Sequence, residues 1–230
     1  MKRLSLLVLG LTVMLGLSMT AFATDTIVFT KLVGGTGSPT GLYQGTLNGV
    51  VTNFICADNT HEIQSGESWQ ATEYSLGSLL SSGAYSYVGY NSYYGGAGGA
   101  TTVWTDEAYL EYSIITGTSL TGAQQAAINN AVWDLTTPGG AQLSGSTSDS
   151  TNPLYWINQA ALYAAGWTAA NPYGVTFFVP VAGTATGYPS GHPDPQLFSD
   201  VNTPEPISMA LMGTFLSLAG FGLGKKKLFT

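Results

Sequence analysis

The chain has 230 residues, 6 Lys and Arg against 13 Asp and Glu, a net charge of −7 and a single cysteine. One cysteine excludes an intramolecular disulfide, so packing must hold the fold. Between residues 24 and 203 the only basic residue is Lys31, against twelve acids, a net of −11; such a surface cannot neutralise phosphates, which argues against nucleic acid and anionic lipid as partners.

The first element is a targeting signal. Lys2-Arg3 is a basic start, Leu4 to Leu17 an apolar run, and Ala21-Phe22-Ala23 fits the small-residue rule for signal peptidase, with cleavage after Ala23. Residues 1–23 are therefore read as a signal peptide and set aside from the fold. Thr26 to Val33 predicts a strand. Gly34 to Pro39 is a loop. Gly41 to Asn48 and Val50 to Ala57 predict a hairpin turning on Asn48-Gly49, a dipeptide that tolerates positive φ. By the strand period of two, Phe54, Cys56 and Asp58 share one face. Ser68 to Tyr74 predicts a further strand. Tyr85 to Ala100 interleaves Tyr with Gly and reads as a loop or an irregular strand pair.

Three helices follow. Thr105 is the expected cap of the first, with Asp106 and Glu107 at its positive end and Ala108, Tyr109, Tyr112 and Ile115 on its buried face. Thr121 and Gln124 have capping-box spacing for the second, whose apolar positions are Ala127, Ile128, Ala131, Val132 and Leu135. Asn152-Pro153 suits the start of the third. Gly139 to Ser150 is a polar loop. Val175 to Val181 (VTFFVPV) predicts an edge strand, because Pro180 cannot donate to a ladder. Residues 188–203 are Pro-rich and polar and read as a stalk. The order of strands, helical insert and closing strand predicts an α+β domain over 24–187, an antiparallel sheet or sandwich with a helical insert.

Few residues invite catalytic chemistry. Asp58, His61 and Glu62 lie within five positions, but with one histidine among them they read as a polar loop rather than a metal site. Gly-x-Ser-x-Gly is absent, and Asp106, Glu107 and Glu111 are paired carboxylates of which the first two are explained by the helix start. No cofactor and no metal are expected. Five tryptophans and thirteen tyrosines offer stacking surfaces for sugars, although four of the tryptophans fall in or beside predicted elements and read as core.

The C-terminus carries a sorting signal. Pro204-Glu205-Pro206 precedes an uncharged apolar run from Ile207 to Gly224, and Lys225-Lys226-Lys227 follow. As a helix those 18 residues rise ~27 Å, close to the ~30 Å of bilayer hydrocarbon, and the lysines would stay on the cytoplasmic side. Residues 204–230, with a transmembrane helix over 207–224, resemble the PEP-CTERM tail of Gram-negative bacteria. The resemblance implies passage through the inner membrane, transient anchoring, cleavage near Pro204-Glu205-Pro206 by an exosortase, and delivery to the cell surface or extracellular matrix, with extracellular polysaccharide as partner. A plain anchor that is never cut is the alternative.

A second resemblance spans roughly Val50 to Pro180. Phe54-Ile55-Cys56-Ala57-Asp58 and the segment Ala127 to Asp134 are similar to motifs of thioester domains in surface adhesins, and Gly66-Glu67-Ser68-Trp69 with Trp133 resembles a group of PEP-CTERM proteins that look like this domain. In the adhesin domains a strand Cys and a helix Gln form an internal thioester that captures an amine. The resemblance implies a thioester-domain-like fold with Cys56, Asn129 and Trp133 at the corresponding positions. Asn129 stands where that family has Gln, one methylene too short. The expectation is thus a non-enzymatic exported protein associated with polysaccharide or biofilm, with Trp133 a core anchor beside Cys56. The alternatives are a covalent adhesin using Cys56 and a secreted hydrolase.

Overall fold

The computed structural model describes residues 24–33, 42–117, 119–140, 142–164, 174–187 and 195–201. Six strands form in chain order: β1 (Thr24–Val33), β2 (Leu42–Leu47), β3 (Val50–Cys56), β4 (Ser68–Ser75), β5 (Val175–Pro180) and β6 (Phe198–Val201). They close into an antiparallel barrel in the order β1-β2-β3-β6-β5-β4. Between β4 and β5 the chain makes α1 (Leu76–Ser82), α2 (Ser92–Gly95), α3 (Ala100–Thr116), α4 (Gly122–Thr136) and α5 (Pro153–Tyr163).

Local chemistry sets the early strands. Asn48 and Gly49 take φ of 52° and 83°, the left-handed pair that a tight hairpin between β2 and β3 requires. The Asn48 side chain also ties the turn to β1: its amide donates to Asp25 at 2.6 Å and its oxygen accepts from Thr26 N at 2.9 Å. Gly45 is needed where β2 crosses β1, since a Cβ there would lie 2.3 Å from the Val28 carbonyl.

Alternation along the strands produces two cores. Ile27, Phe29, Tyr43, Phe54, Cys56, Trp69, Ala71, Phe178 and Phe198 point into the barrel. Ile55, Val175, Phe177, Val179, Leu197 and Val201 pack outward beneath the helices, against Trp104, Ala108, Leu110, Ile128, Val132 and Leu135. Every residue of β5 is buried, because barrel interior and helix layer cover its two faces. This two-sided burial explains its unbroken apolar run.

Several expectations are corrected. The sheet is neither open nor a sandwich: the thioester-domain-like α+β sandwich gives way to a closed six-stranded barrel with helices on one side. β5 lies between β4 and β6 and has no free edge; Pro180 sits at its last position, opposite Ala71. β6 falls within the stretch read as a stalk, and Pro195 to Val201 are almost wholly buried. Tyr85 to Ala100 is helical, with α2 flanked by 3-10 turns at Ala84–Tyr87 and Gly96–Gly98. α3 starts at Ala100, five residues before the expected cap, and Thr105 instead donates within the helix to the Thr101 carbonyl at 2.6 Å. Its buried face turns with it, to Val103, Trp104, Asp106, Glu107, Ala108, Leu110, Glu111 and Ile114. The capping box at Thr121 and Gln124 and the Asn152 cap form as expected. Among the described residues no helix is long and apolar enough to cross a membrane. Ala23, Pro204, Glu205, Pro206, Lys225, Lys226, Lys227 and the apolar run 207–224 lie outside the described residues.

Phe198 closes the barrel and gives the first prediction. Its ring lies 5.4 Å from that of Tyr43, 5.5 Å from Phe54 and 5.6 Å from Trp69. Truncating a buried Phe costs ~3–5 kcal/mol, a large part of the ~5–15 kcal/mol that holds a domain. Phe198→Ala should therefore lower the midpoint of thermal or urea unfolding sharply. An unchanged midpoint would mean that β6 is a dispensable appendage.

Candidate functional site

Cys56 ends β3 with its side chain inside the barrel and no exposed surface. The thiol donates to the Asp58 carbonyl at 2.8 Å. Burial pushes the thiol well above its ordinary pKa, and the Asp58 hydrogen bond offsets this only in part. The neighbouring acids Asp58 and Glu111 further disfavour a thiolate. A reactive cysteine needs the opposite surroundings.

The backbone carbonyl of Cys56 is the centre of the site. It accepts from Asn129 Nδ2 at 3.1 Å and from Trp133 Nε1 at 2.9 Å. Four residues apart on α4, the two donors share one helix face. The structure thus brings Cys56, Asn129 and Trp133 together. Asn129 is fully buried. Trp133, expected as a core anchor, is only half-buried; it packs against both cores and leaves part of its indole at the surface.

Asp58 organises the loop after β3. Fully buried, it accepts from Thr60 N at 2.8 Å, Thr60 Oγ1 at 2.7 Å and His61 N at 3.3 Å, and pairs with His61 Nδ1. The His61 ring stacks on Tyr87 at 5.0 Å. The His61 carbonyl accepts from Gln196 Nε2 at 2.5 Å, and Tyr87 donates to the Pro195 carbonyl at 2.6 Å. The loop is thereby locked to the segment leading into β6. Both Asp58 oxygens are engaged, and among the described residues no three His, Cys, Asp or Glu side chains are placed to hold a metal.

Two clefts flank Trp133. One, of about 430 Å³, is lined by Tyr43, His61, Glu62, Gln64 and Gln196 among others. The second, also about 430 Å³, is lined by Asn130, Asp134, Thr137, Gly140, Leu143 and Pro153. Trp133 and Asn59 belong to both, so the clefts adjoin across the indole. Thr137 donates to Asn59 at 2.8 Å and ties the end of α4 to the rim. The sequence offered Trp133 as a motif residue; it gave no signal for Asn59, Asn130 and Thr137, whose neighbourhood depends on the barrel meeting the helices.

The paired carboxylates that the sequence reading explained by a helix start have a different setting. Glu107 and Glu111 are not near the helix start but one turn apart in the middle of α3, fully buried beside Ser199 and Asp200 of β6. The Glu107 and Glu111 carboxyls face each other, an arrangement in which one must hold a proton to donate to the other, and Ser199 lies beside Glu111. Burial raises Glu107 well above its usual range, and Glu111 adds to the effect. Burial lifts Glu111 from 4.5 to about 7. Comparison with protein-family models, curated proteins and solved structures finds no match.

Because the folded-state pKa of Glu111 lies above its unfolded value, the folded state holds the proton more tightly. Stability is fullest below about 4.5 and is lost as pH rises to about 7. Glu111→Gln keeps the shape and removes the titration. Its Tm should exceed that of the parent chain at pH 8 by roughly 5 °C or more, with the difference shrinking towards pH 4. Parallel Tm curves across this range would show that Glu111 does not titrate in the core.

Proposed function

We propose that this chain is an exported, non-enzymatic surface or matrix protein of a Gram-negative bacterium that binds extracellular polysaccharide across Trp133. The observation that carries the reading is the position of that indole. It is held by its own N–H to the Cys56 carbonyl and shared by two adjoining clefts of amide, hydroxyl and aromatic side chains. A fixed aromatic face among hydrogen-bonding groups suits a hydroxylated ring, and two clefts in line suit a chain of them. The excess of acid disfavours an anionic polymer. A covalent role for Cys56 has less support, since its thiol is sealed and surrounded by acids. A hydrolase has less support again: the cleft hydroxyl of Thr137 donates to Asn59 and the Trp133 carbonyl rather than to a base.

Trp133→Leu keeps an apolar side chain and removes the ring face. In affinity electrophoresis the purified full chain should be retarded by a soluble neutral glucan and not by an alginate. Trp133→Leu and Asn130→Ala should weaken the retardation about tenfold or more, equivalent to about 1.4 kcal/mol, while remaining folded by circular dichroism. Retention unchanged in folded Trp133→Leu would overturn the reading.

The export half of the proposal rests on Pro204-Glu205-Pro206, the apolar run and the three lysines. Peptide mapping of the protein recovered from the surface or medium should start after Ala23 and end near Glu205. Peptides covering Leu211 to Lys225 in that fraction would show that the tail is kept.

A further inference from the structure

A separate cavity of about 460 Å³ lies between α2, α3 and α5, within the ~300–1,000 Å³ typical of small-ligand pockets. Its wall includes Tyr93, Tyr94, Thr102, Thr105, Asp106 and Asn158. Asp106 is 7% exposed, and among the described residues no hydrogen bond or charge offsets its burial. A buried carboxylate without a donor is costly, and burial lifts this one to about 7.

The cavity is built rather than incidental. Tyr93 stands 55% exposed at the rim, edge-on to Tyr94 at 5.1 Å and 83°. The Tyr94 hydroxyl accepts from Leu143 N at 2.9 Å, which fixes its ring. The helix that carries both tyrosines is pinned by Asn91, itself 1% exposed. Asn91 Nδ2 donates to the Asp134 carbonyl at 3.1 Å, its N to the Leu135 carbonyl at 2.7 Å, and its Oδ1 accepts from Tyr93 N at 3.1 Å. Gly140 permits this approach, since a Cβ there would stand 2.7 Å from Asn91 Nδ2.

We propose that this cavity binds a sugar unit bearing a free primary ammonium, with Asp106 as its counter-ion and the Tyr93–Tyr94 corner against the ring. An ammonium supplies the donors and the charge that no described residue offers Asp106. Aromatic faces attract a cation as well as a sugar ring. The threonine hydroxyls and Asn158 provide partners for ring hydroxyls. None of the residues lining the cavity is basic, so an acidic sugar finds no counter-charge. The ammonium follows from the cavity alone; the sugar body rests on the reading of the protein as a polysaccharide binder.

Calorimetric titration of the full chain decides it. The probes are a β-1,4-linked glucosamine trimer, its fully N-acetylated counterpart, the glucose trimer and an N-acetyl-lysine amide. The glucosamine trimer should bind at least tenfold tighter than the other three. Asp106→Asn should abolish that preference without lowering Tm, and Tyr93→Ala, at the exposed rim, should weaken it. Trp133→Leu should leave the preference intact, so that failure at the Trp133 clefts is distinguishable from failure here. Equal binding of the acetylated trimer, or a preference that survives in Asp106→Asn, would overturn the proposal. Equal binding of the lysine amide would overturn the sugar assignment.

Discussion

The ring of Phe198 meets Tyr43, Phe54 and Trp69 inside the barrel, and through them one short strand joins β2, β3 and β4. β6 has only four residues, yet it bridges β3 and β5 and completes the ring of hydrogen bonds. Without it, β3 and β5 would each present an unpaired edge. Closure also presents the alternate faces of β5 and β6 to the helices. Phe177 and Leu197 turn outward while Phe178 and Phe198 turn inward. The helix layer has its apolar floor because the barrel is closed.

The second joint is the Cys56 carbonyl. At the end of β3 it takes both Asn129 and Trp133 as donors, where a ladder carbonyl takes one. A buried carbonyl has capacity for two donors, and a helix that supplies both from adjacent turns is fixed in rotation as well as distance. That fixation places one part of the Trp133 ring in the two cores and another in the clefts. It also gives Asn129 a structural task independent of its distance from the Cys56 sulfur. Removing its amide would leave Trp133 as the only side-chain donor to that carbonyl among the described residues.

The hairpin, the capping box of α4 and the cap of α5 were legible because each is written in adjacent residues: Asn48-Gly49, Thr121 with Gln124, Asn152 with Pro153. The start of α3 was not. Its N-cap is Gly99 with φ 55°, and no side chain caps the helix, so Thr105 offered a false signal six residues late. That slip misplaced Asp106 and Glu107 and hid the buried acids. Pro180 misled in a different way. Proline demotes a strand to an edge only when its missing N–H interrupts the ladder, and at the last residue of β5 it does not. The stalk reading failed because proline and polar residues dominate 188–203, while the four residues that enter the barrel are too few to show a period. Cys56, Asn129 and Trp133 were found through motif resemblance, and the remaining cleft residues belong to elements whose meeting depends on closure.

The acids of this chain do two different jobs. Glu107 and Glu111 face each other and β6 with no cation among the described residues to balance them and are best tolerated as neutral carboxyls, so they make the fold more secure in mildly acidic surroundings. Asp106 is their neighbour in sequence but faces the other way, into a cavity that a ligand can enter. A helix places successive residues about 100° apart, so one turn of α3 can serve the interior with one carboxyl and a pocket with the next. Lys31 is the only Lys or Arg between residues 24 and 203, so this region supplies almost no internal cation for these groups. Glu107 and Glu111 are relieved by protonation. Asp106, at the wall of a solvent-connected cavity, can also be relieved by a cation from outside, and this difference in access makes it the one of the three suited to recognition.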